Sequence, residues 1–335
     1  MLSFFLPVLQ FFESIPGYFA SLNPATLLNQ LPGGIAQGFI WAIMALGVYI
    51  TFRMLDVPDL TVDGTLATGG AVCIVLVTNG WNYELALLIS LLAGLIAGLV
   101  TGLLHTKLGI PAILAGILTQ ISLYSINLAA IMGKPTITAN TRKYQFYFTL
   151  NEVYLTRTIL LTAAVCVIIV LILYWYLNTA NGSAMRATGI NPEMARAQGI
   201  NTNLMKVVGL SLSNGLVGLC GGILTQYQGS ADINQGRGAI VIGLAAVIIG
   251  EVLAESIFRK HLTMLLRLVF VVLGSVIYYL VYVFVVWLKL PTDYMKLLTA
   301  LVVAIFLAVP YLRGQRKSSF AQVRRRNRKE ARKNA

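Results

Sequence analysis

Charged residues are scarce in this sequence for its length. Only 11% of its 335 residues are Asp, Glu, Lys or Arg, whereas 57% are hydrophobic and the mean hydropathy is +0.78. Because soluble domains carry about 25% charged residues, this shortage excludes a soluble globular protein. The composition therefore predicts an integral membrane protein.

Residues suited to catalysis or metal binding are equally rare. The chain has two histidines and three cysteines, and Cys73, Cys166 and Cys220 all lie inside apolar runs without paired spacing. We expect buried, unpaired cysteines, no catalytic set and no metal site. The Gly-x-x-x-x-Gly-Lys-Ser/Thr phosphate loop is missing, so we expect no cofactor on this chain. Any ATP and Mg²⁺ that drive the protein would bind another chain.

Long apolar runs make up most of the sequence. They lie at roughly 33–55, 62–79, 83–105, 110–132, 154–178, 204–227, 238–254, 262–288 and 295–312. Most reach the ~20 residues that a bilayer requires, although the run at 238–254 is short enough for a broken or re-entrant helix. The predicted fold is an all-α, polytopic membrane bundle of about eight to ten helices. Its predicted parts are an N-terminal interfacial or first membrane helix (1–30), a transmembrane domain (31–312) and a basic tail (313–335).

Basic residues are concentrated at the C-terminus, where ten of the 25 Lys and Arg residues follow Tyr311. After a series of membrane spans, such a tail predicts contact with anionic lipid on the cytoplasmic side rather than nucleic-acid binding. Counting back nine spans places residues 182–203 inside, together with Arg53 and Lys107. The loop at 133–153 would then lie outside with its basic residues, which the positive-inside rule disfavours.

Residues 182–203 form a polar island between two apolar runs. Asn191 is a good helix N-cap, Pro192 suits the first helical position and Glu193 favours the positive helix end. Gly199 is a natural residue to follow the last turn. We therefore predict one short surface helix, which needs a packing partner because so short a helix is unstable alone. The alternative is a loop that is helical without further function.

Two acidic turns interrupt the apolar pattern. The two turns share a pattern, in which a long apolar helix is followed by an Asp-containing turn, a glycine and a helix rich in small residues. They read VPDLTVDGTLATGG at 57–70 and ADINQGRGAIVIG at 231–243. Matched interrupted helices in two halves are typical of transporters built from repeats, with the substrate path between the halves. The sequence therefore predicts two repeat halves.

Three motifs resemble bacterial ABC importer permeases of the ribose and branched-chain amino-acid group. Residues 186–200 are similar to that family's coupling loop, with the pattern Arg-Ala-x-Gly-x-Asn-x-x-x-Ala-x-x-x-Gly-Ile. The segment 59–64 resembles the Asp-Leu-Ser-Val-Gly type that follows its first core helix, and 243–250 resembles its later Gly-rich helix. The acids Asp63 and Glu251 depart from the ribose pattern and indicate an amino-acid branch, including permeases paired with tryptophan-type binding proteins.

The resemblance implies that the short helix docks into a cleft on a cytoplasmic ATPase. The residues implied for coupling are Arg186, Gly189, Asn191, Pro192, Glu193, Ala195, Gln198, Gly199 and Ile200. The implied partners are two ATPase chains, an extracytoplasmic substrate-binding protein, a second permease copy and membrane lipid. The protein would lie in the cell membrane with its C-terminus inside and work by alternating access. The expected solute is an amino acid, with an aromatic one as the narrower hypothesis, although sugar or nucleoside import has nearly the same features.

Polar residues inside the apolar runs are candidates for the substrate path, since an intramembrane acid is by default a functional hypothesis. The candidates are Asp59, Thr61, Asp63, Gln120, Asn214, Gln226 and Asp232. The structural alternatives are helix caps, pairs with Arg53 or Arg237, and interhelical hydrogen bonds. A rival function is an ion-coupled secondary transporter that uses the three Asp residues as proton or Na⁺ sites.

Overall fold

The computed structural model of the protein describes residues 24–139, 144, 146–149, 155–258 and 262–287, with single helical positions at 301, 304 and 308. The predicted interfacial segment before residue 24 and the basic tail at 313–335 lie outside the described residues. So do most of the ninth apolar run at 295–312 and the basic residues Arg142 and Lys143.

Helices account for nearly all of the described chain. They are α1 Pro24–Val48, α2 Thr61–Thr78, α3 Tyr83–Thr106, α4 Ala112–Ala130, α5 Leu155–Leu177, α6 Ala180–Ile190, α7 Pro192–Ala197, α8 Thr202–Gln228, α9 Ala239–Phe258 and α10 Met264–Trp287. Eight of them, all but α6 and α7, are long and apolar enough to cross a membrane. A membrane span must satisfy its backbone polar groups internally, which these helices do. The predicted all-α, polytopic bundle is confirmed.

The first described helix is longer than its apolar run indicated. α1 begins at Pro24, where a proline suits the first turn, and a π-helical turn, Tyr49–Met54, extends it. The predicted boundary between residues 30 and 31 therefore falls inside this helix. Short π-helical segments are often associated with functional sites, and this one leads directly into the first acidic turn.

The polar island contains the predicted short helix, which is α7 with Asn191 as its N-cap and Pro192 in its first turn, and a second helix, α6, that was not predicted. α6 covers Ala180–Ile190 and is capped by Thr179, whose hydroxyl accepts from the backbone N–H of Gly182. The chain then leaves the helical conformation at Asn191, with φ −154° and ψ 98°, before α7 begins at Pro192. The break has a steric cause, because proline disfavours the helical conformation in the residue before it.

The short run at 238–254 forms one continuous helix, α9, so a broken helix there is also wrong. The interruption lies in front of it, where the chain turns at Gly229 (φ +69°) after α8 and continues through residues 230–238. The strand β2, Ser230–Asp232, pairs antiparallel with β1, Thr136–Thr138.

Both interrupted segments return into the bundle. α2 and α8 lie side by side, and the Thr65 hydroxyl of α2 donates to the Asn214 side chain of α8. Thr61, at the start of α2, therefore lies beside the position in α8 that is about four residues before Asn214. At 1.5 Å per residue this places the start of α2 about 12 Å along α8 from its first residue. The start of α9 meets the start of α2 at the same level, since Asp63 bonds to Gly238 and Ile240.

Glycines permit the closest helix contacts around α8. The space where Gly94 of α3 would carry a side chain is occupied by the backbone of Asn214, and that of Gly218 by the backbone of Ser90. Without the hydrophobic effect between helices in lipid, such close backbone contacts favour association. α1, α2 and α8 consequently form the buried centre, while α3, α4 and α5 expose most of their apolar surface.

The two ends of the bundle carry different groups. At one end, Gly189 packs on the backbone of Met54, and the Lys206 ammonium approaches His105. We call this the α6–α7 end, and it also carries Arg53, Lys107 and Arg267. The opposite end, which we call the β-pair end, carries Lys134 and the β1–β2 pair. This grouping agrees with the predicted topology, although which end faces the cytoplasm stays a prediction.

Candidate functional site

The segment from α6 to α8 is shaped by two asparagine caps. The Asn191 side chain accepts from the backbone N–H of Glu193 at 3.1 Å and of Met194 at 3.0 Å, at the start of α7. The Asn201 side chain accepts from the N–H of Leu204 and caps α8. Gly199 has φ +83°, so it supplies the left-handed conformation that ends α7.

The nine residues predicted for coupling differ in their exposure. Three of them hold the segment to the bundle: Ala195 is buried, Gly189 packs on Met54, and Ile200 packs against the core. Arg186 is half-buried and donates to Ser183, and Pro192 is half-buried as well. The others, Asn191, Glu193, Gln198 and Gly199, are exposed. The exposed residues are the ones most accessible to a partner.

Two apolar side chains on this segment were missed by the sequence reasoning. Ile190 is 86% exposed and Met194 is 59% exposed, on either side of the Asn191 cap. Both lie outside the eight helices that are long and apolar enough to span a membrane. Their spacing of four residues inside a polar stretch is the signal that could have identified them. Neighbouring exposed apolar residues are typical of contact surfaces.

An ion-paired cluster lies at the same end. Glu251 of α9 accepts from Arg53 at 2.7 Å and lies 3.9 Å from Arg267 of α10. The sequence alone offered Arg53 as a possible partner for one of the intramembrane Asp residues. The fold instead brings together residues 198 positions apart. The cluster joins the end of α1 to α9 and α10.

A cavity of about 280 Å³ opens where the starts of α2 and α9 meet α4. Its polar lining consists of Asp63, Gln120, Tyr124, Asn127 and Arg237. Of the seven residues predicted for the substrate path, only Asp63 and Gln120 line this cavity. Tyr124 was missed because its position on α4 gives no sequence signal that separates it from the other tyrosines.

Asp63 joins the start of α2 to the start of α9. Its carboxylate accepts from the backbone N–H groups of Gly238 and Ile240, each at 2.9 Å, and so caps the N-terminus of α9. A negative charge is favourable at this positive helix end. Arg237 precedes the helix, is exposed in the cavity, and has no ion-pair partner among the residues that the structure describes. The cavity therefore contains a capped carboxylate and an available guanidinium.

Asp59, Thr61 and Asn214 lie together but apart from the cavity. Asp59 is buried and accepts from the backbone N–H of Thr61 at 2.9 Å and from the Asn214 amide at 2.7 Å. Burial raises the pKa of Asp59, while the hydrogen bonds from Thr61 and Asn214 lower it. The Thr61 hydroxyl continues the network to Thr101, which donates to Thr119. These contacts link α2, α3, α4 and α8 as interhelical hydrogen bonds.

Gln226 and Asp232 lie elsewhere. The Gln226 amide is buried and donates to the Cys73 sulfur at 3.7 Å. Asp232 accepts from the Thr136 hydroxyl and the backbone N–H of Asn234, both at 2.6 Å, and so fixes the β pair. Neither residue lines the cavity.

The cysteines are buried and unpaired, as predicted. Within the residues that the structure describes, no three His, Cys, Asp or Glu side chains are grouped so that they could hold a metal ion. The described sites thus consist of an exposed segment, an ion-paired cluster and a polar cavity.

Residues 31–307 match the protein family described as branched-chain amino acid transport system, permease component. The chain belongs to this family. As a permease component it is part of an ABC-type import system and a multi-pass membrane protein, and the family transports rather than catalyses. Permeases of such import systems work with an ATPase and a substrate-binding protein, as the resemblance implied.

Curated relatives of this permease include transporters of two solute classes. It is 37% identical to the tyrosine transport system permease protein of Clostridioides difficile over 289 residues, which cover 86% of this chain and 94% of the relative. It is 30% identical to the ribose import permease protein of Bacillus subtilis over 239 residues, 70% of each chain. The family assignment favours the importer over the ion-coupled carrier.

Proposed function

We propose that this permease imports an amino acid, with an aromatic one as the narrower assignment, through the cavity at the starts of α2 and α9. The observation that carries the proposal is the pair of opposite charges in its lining, Asp63 and Arg237. An amino acid carries a carboxylate and an ammonium, which match the guanidinium and the carboxylate respectively. Tyr124 offers an aromatic face in the same wall. The similarity to a tyrosine transport permease supports this solute class.

The α6–α7 segment is the proposed docking site for the ATPase. Ile190 and Met194 are the apolar contacts, and Asn191, Glu193 and Gln198 surround them with polar groups. An apolar centre with a polar rim is the usual anatomy of a protein interface. Gly189, Ala195 and Ile200 fasten the segment to the bundle, so movement of the segment would be transmitted to the end of α1.

The proposed assembly has two permease copies, two ATPase chains and an extracytoplasmic binding protein that delivers the solute. ATP and Mg²⁺ bind the ATPases, whose closure draws the two segments together and switches the side on which the pathway is open. The C-terminus and the α6–α7 end face the cytoplasm in this arrangement. Arg53, Lys107 and Arg267 lie at that end, and the excess of basic residues on the cytoplasmic side of membrane proteins supports this orientation.

The decisive experiment is co-purification with candidate ATPase chains. We expect Ile190→Glu to weaken ATPase binding by about tenfold or more, because a charge replaces an apolar contact at the interface. Leu108→Glu is the matched control, since Leu108 is also exposed (69%) and lies in the connection between α3 and α4 at the same end. Equal binding by both variants would contradict the docking site. Solute uptake by the permease alone along an ion gradient would favour the secondary transporter.

A further inference from the structure

A groove with a volume of about 510 Å³ lies on the outer face of the bundle, between α3 and α4 and over α2. It is separate from the polar cavity, and its walls are mostly apolar. The side chains that define it are Ile96, Val100 and Leu104 of α3, Leu118 and Ile126 of α4, and Val72 of α2. Because α3 and α4 are largely exposed helices with membrane-spanning composition, the groove opens toward the hydrocarbon of the bilayer.

The groove has the length and direction of a lipid chain. Ile96, Val100 and Leu104 recur every four residues, so they form a stripe along one face of α3. From the first to the third of them the helix rises about 12 Å. The stripe therefore runs along α3 toward the α6–α7 end, over a length close to the hydrocarbon thickness of one leaflet, about 15 Å.

The same stripe ends on a positive charge. Lys107 follows Leu104 by three residues and therefore lies on the same face, at the last turn of α3. It is exposed and has no ion-pair partner among the described residues. A second lysine lies at the same end of the bundle, where the Lys206 ammonium of α8 is 3.4 Å from Nε2 of His105 in α3. The other ring nitrogen, Nδ1, lies 2.8 Å from the carbonyl of Ile110 and donates to it.

Acidic residues are absent from the sequence around both lysines. None occurs between Glu84 and Glu152, which include all of α4 and nearly all of α3, or between Glu193 and Asp232, which include all of α8. The charge at the end of the groove is therefore not neutralised by a neighbour in sequence. An apolar channel that ends at uncompensated lysines at the membrane surface complements an acyl chain that ends in an anionic headgroup.

We propose that this groove binds one acyl chain of an anionic phospholipid, with the headgroup phosphate on Lys107. The lipid fills the space between α3 and α4, two helices that are joined by the Thr101–Thr119 hydrogen bond. Since apolar burial gives little preference between lipids inside a bilayer, the lysine supplies the selectivity for an anionic headgroup. The proposal does not depend on the solute or on the ATPase.

Native mass spectrometry of the purified full chain would test the site, with phosphatidylglycerol and phosphatidylcholine of identical acyl chains as probes. We expect Lys107→Gln to bind phosphatidylglycerol about fivefold more weakly and to leave phosphatidylcholine unchanged. Lys134→Gln, at the opposite end of the bundle, should change neither. Equal loss in both lysine variants would overturn the proposal.

The apolar half of the site is tested by filling the groove. Val100→Trp should reduce retention of both lipids, whereas Leu99→Trp should not, because Leu99 is equally exposed but does not line the groove. Thermal unfolding would verify that both variants fold. Unchanged retention in Val100→Trp would overturn the proposal. A change in the number of chains per particle, with lipid retention intact, would assign the groove to a second copy instead and also overturn it.

Discussion

Asp59 and Asp63 are four residues apart at the start of α2, and the fold gives them opposite surroundings. Asp59 is only 3% exposed and is enclosed by groups from α2 and α8. Asp63 faces a cavity and caps a helix from the other half of the chain. The Asp59 carboxylate is surrounded by neutral partners and holds helices together. The Asp63 carboxylate lies beside a cavity that also contains Arg237, so it can contact a solute. The comparison predicts stability effects around Asp59 and transport effects around Asp63.

The largest expected effect is on the enclosed side. Asn214→Ala removes the amide that donates to Asp59 and accepts from Thr65, and leaves both groups buried without that partner. We expect a loss of about 3 kcal/mol in unfolding free energy, measured by thermal or denaturant unfolding in detergent. Ser122→Ala is the control, because that hydroxyl is exposed and bonds only to its own helix at Leu118. Equal stability of the two variants would refute the structural role of the network.

The next largest expected effect is on transport, from substitution of Arg237 in the cavity. Arg237→Gln should raise the solute concentration for half-maximal transport by about tenfold, because a charge-assisted contact to the solute carboxylate is lost. Uptake into proteoliposomes that contain the full transport system would measure it. Lys134→Gln changes a charge at the same end without reaching the cavity. An effect of equal size in that control would mean that the end's total charge, not Arg237, governs transport.

Substitutions of Asp63 distinguish its role as a helix cap from the role of its negative charge in transport. Asp63→Ala removes both acceptors of the α9 cap and should cost about 1 kcal/mol in stability, whereas Asp63→Asn keeps one of the two accepting oxygens and should cost less. Transport should nevertheless fall in both variants if the carboxylate meets the solute ammonium. Thermal unfolding and uptake, measured on the same preparations, would distinguish the two roles. Normal transport by Asp63→Asn would limit this residue to a structural cap.

The smallest expected effect is at Gln226, which the sequence alone placed on the substrate path. Its side chain is buried beside Cys73 and does not reach the cavity, and its amide oxygen has no hydrogen-bond partner among the described residues. Gln226→Leu should therefore leave transport unchanged and stability nearly so, since replacing an incompletely bonded polar group costs little. A clear fall in uptake would show that the pathway reaches beyond the cavity lined by Asp63.

Local features were predictable because their causes are local. Low charge and long apolar runs require membrane helices, and Asn191 followed by Pro192 starts a helix through one side chain and one fixed dihedral angle. The family resemblance also rested on short motifs, and it was confirmed. The second helix in the polar island, α6, was missed because polar composition says little about helicity once a cap such as Thr179 is present.

Contacts between distant residues were decided only by the tertiary structure. Helices that are apolar on all sides carry no clear face, so the sequence could not tell that Gln120 turns toward the cavity and Gln226 away from it. Nor could it pair Arg53 with Glu251, or bring Asp63 to the start of α9. By itself the sequence determined the class of protein, the eight spans that the structure describes and the cap of the exposed segment. The rotation and depth of each helix, which depend on the close packing of glycines such as Gly94 and Gly218, decided which polar residues share a site.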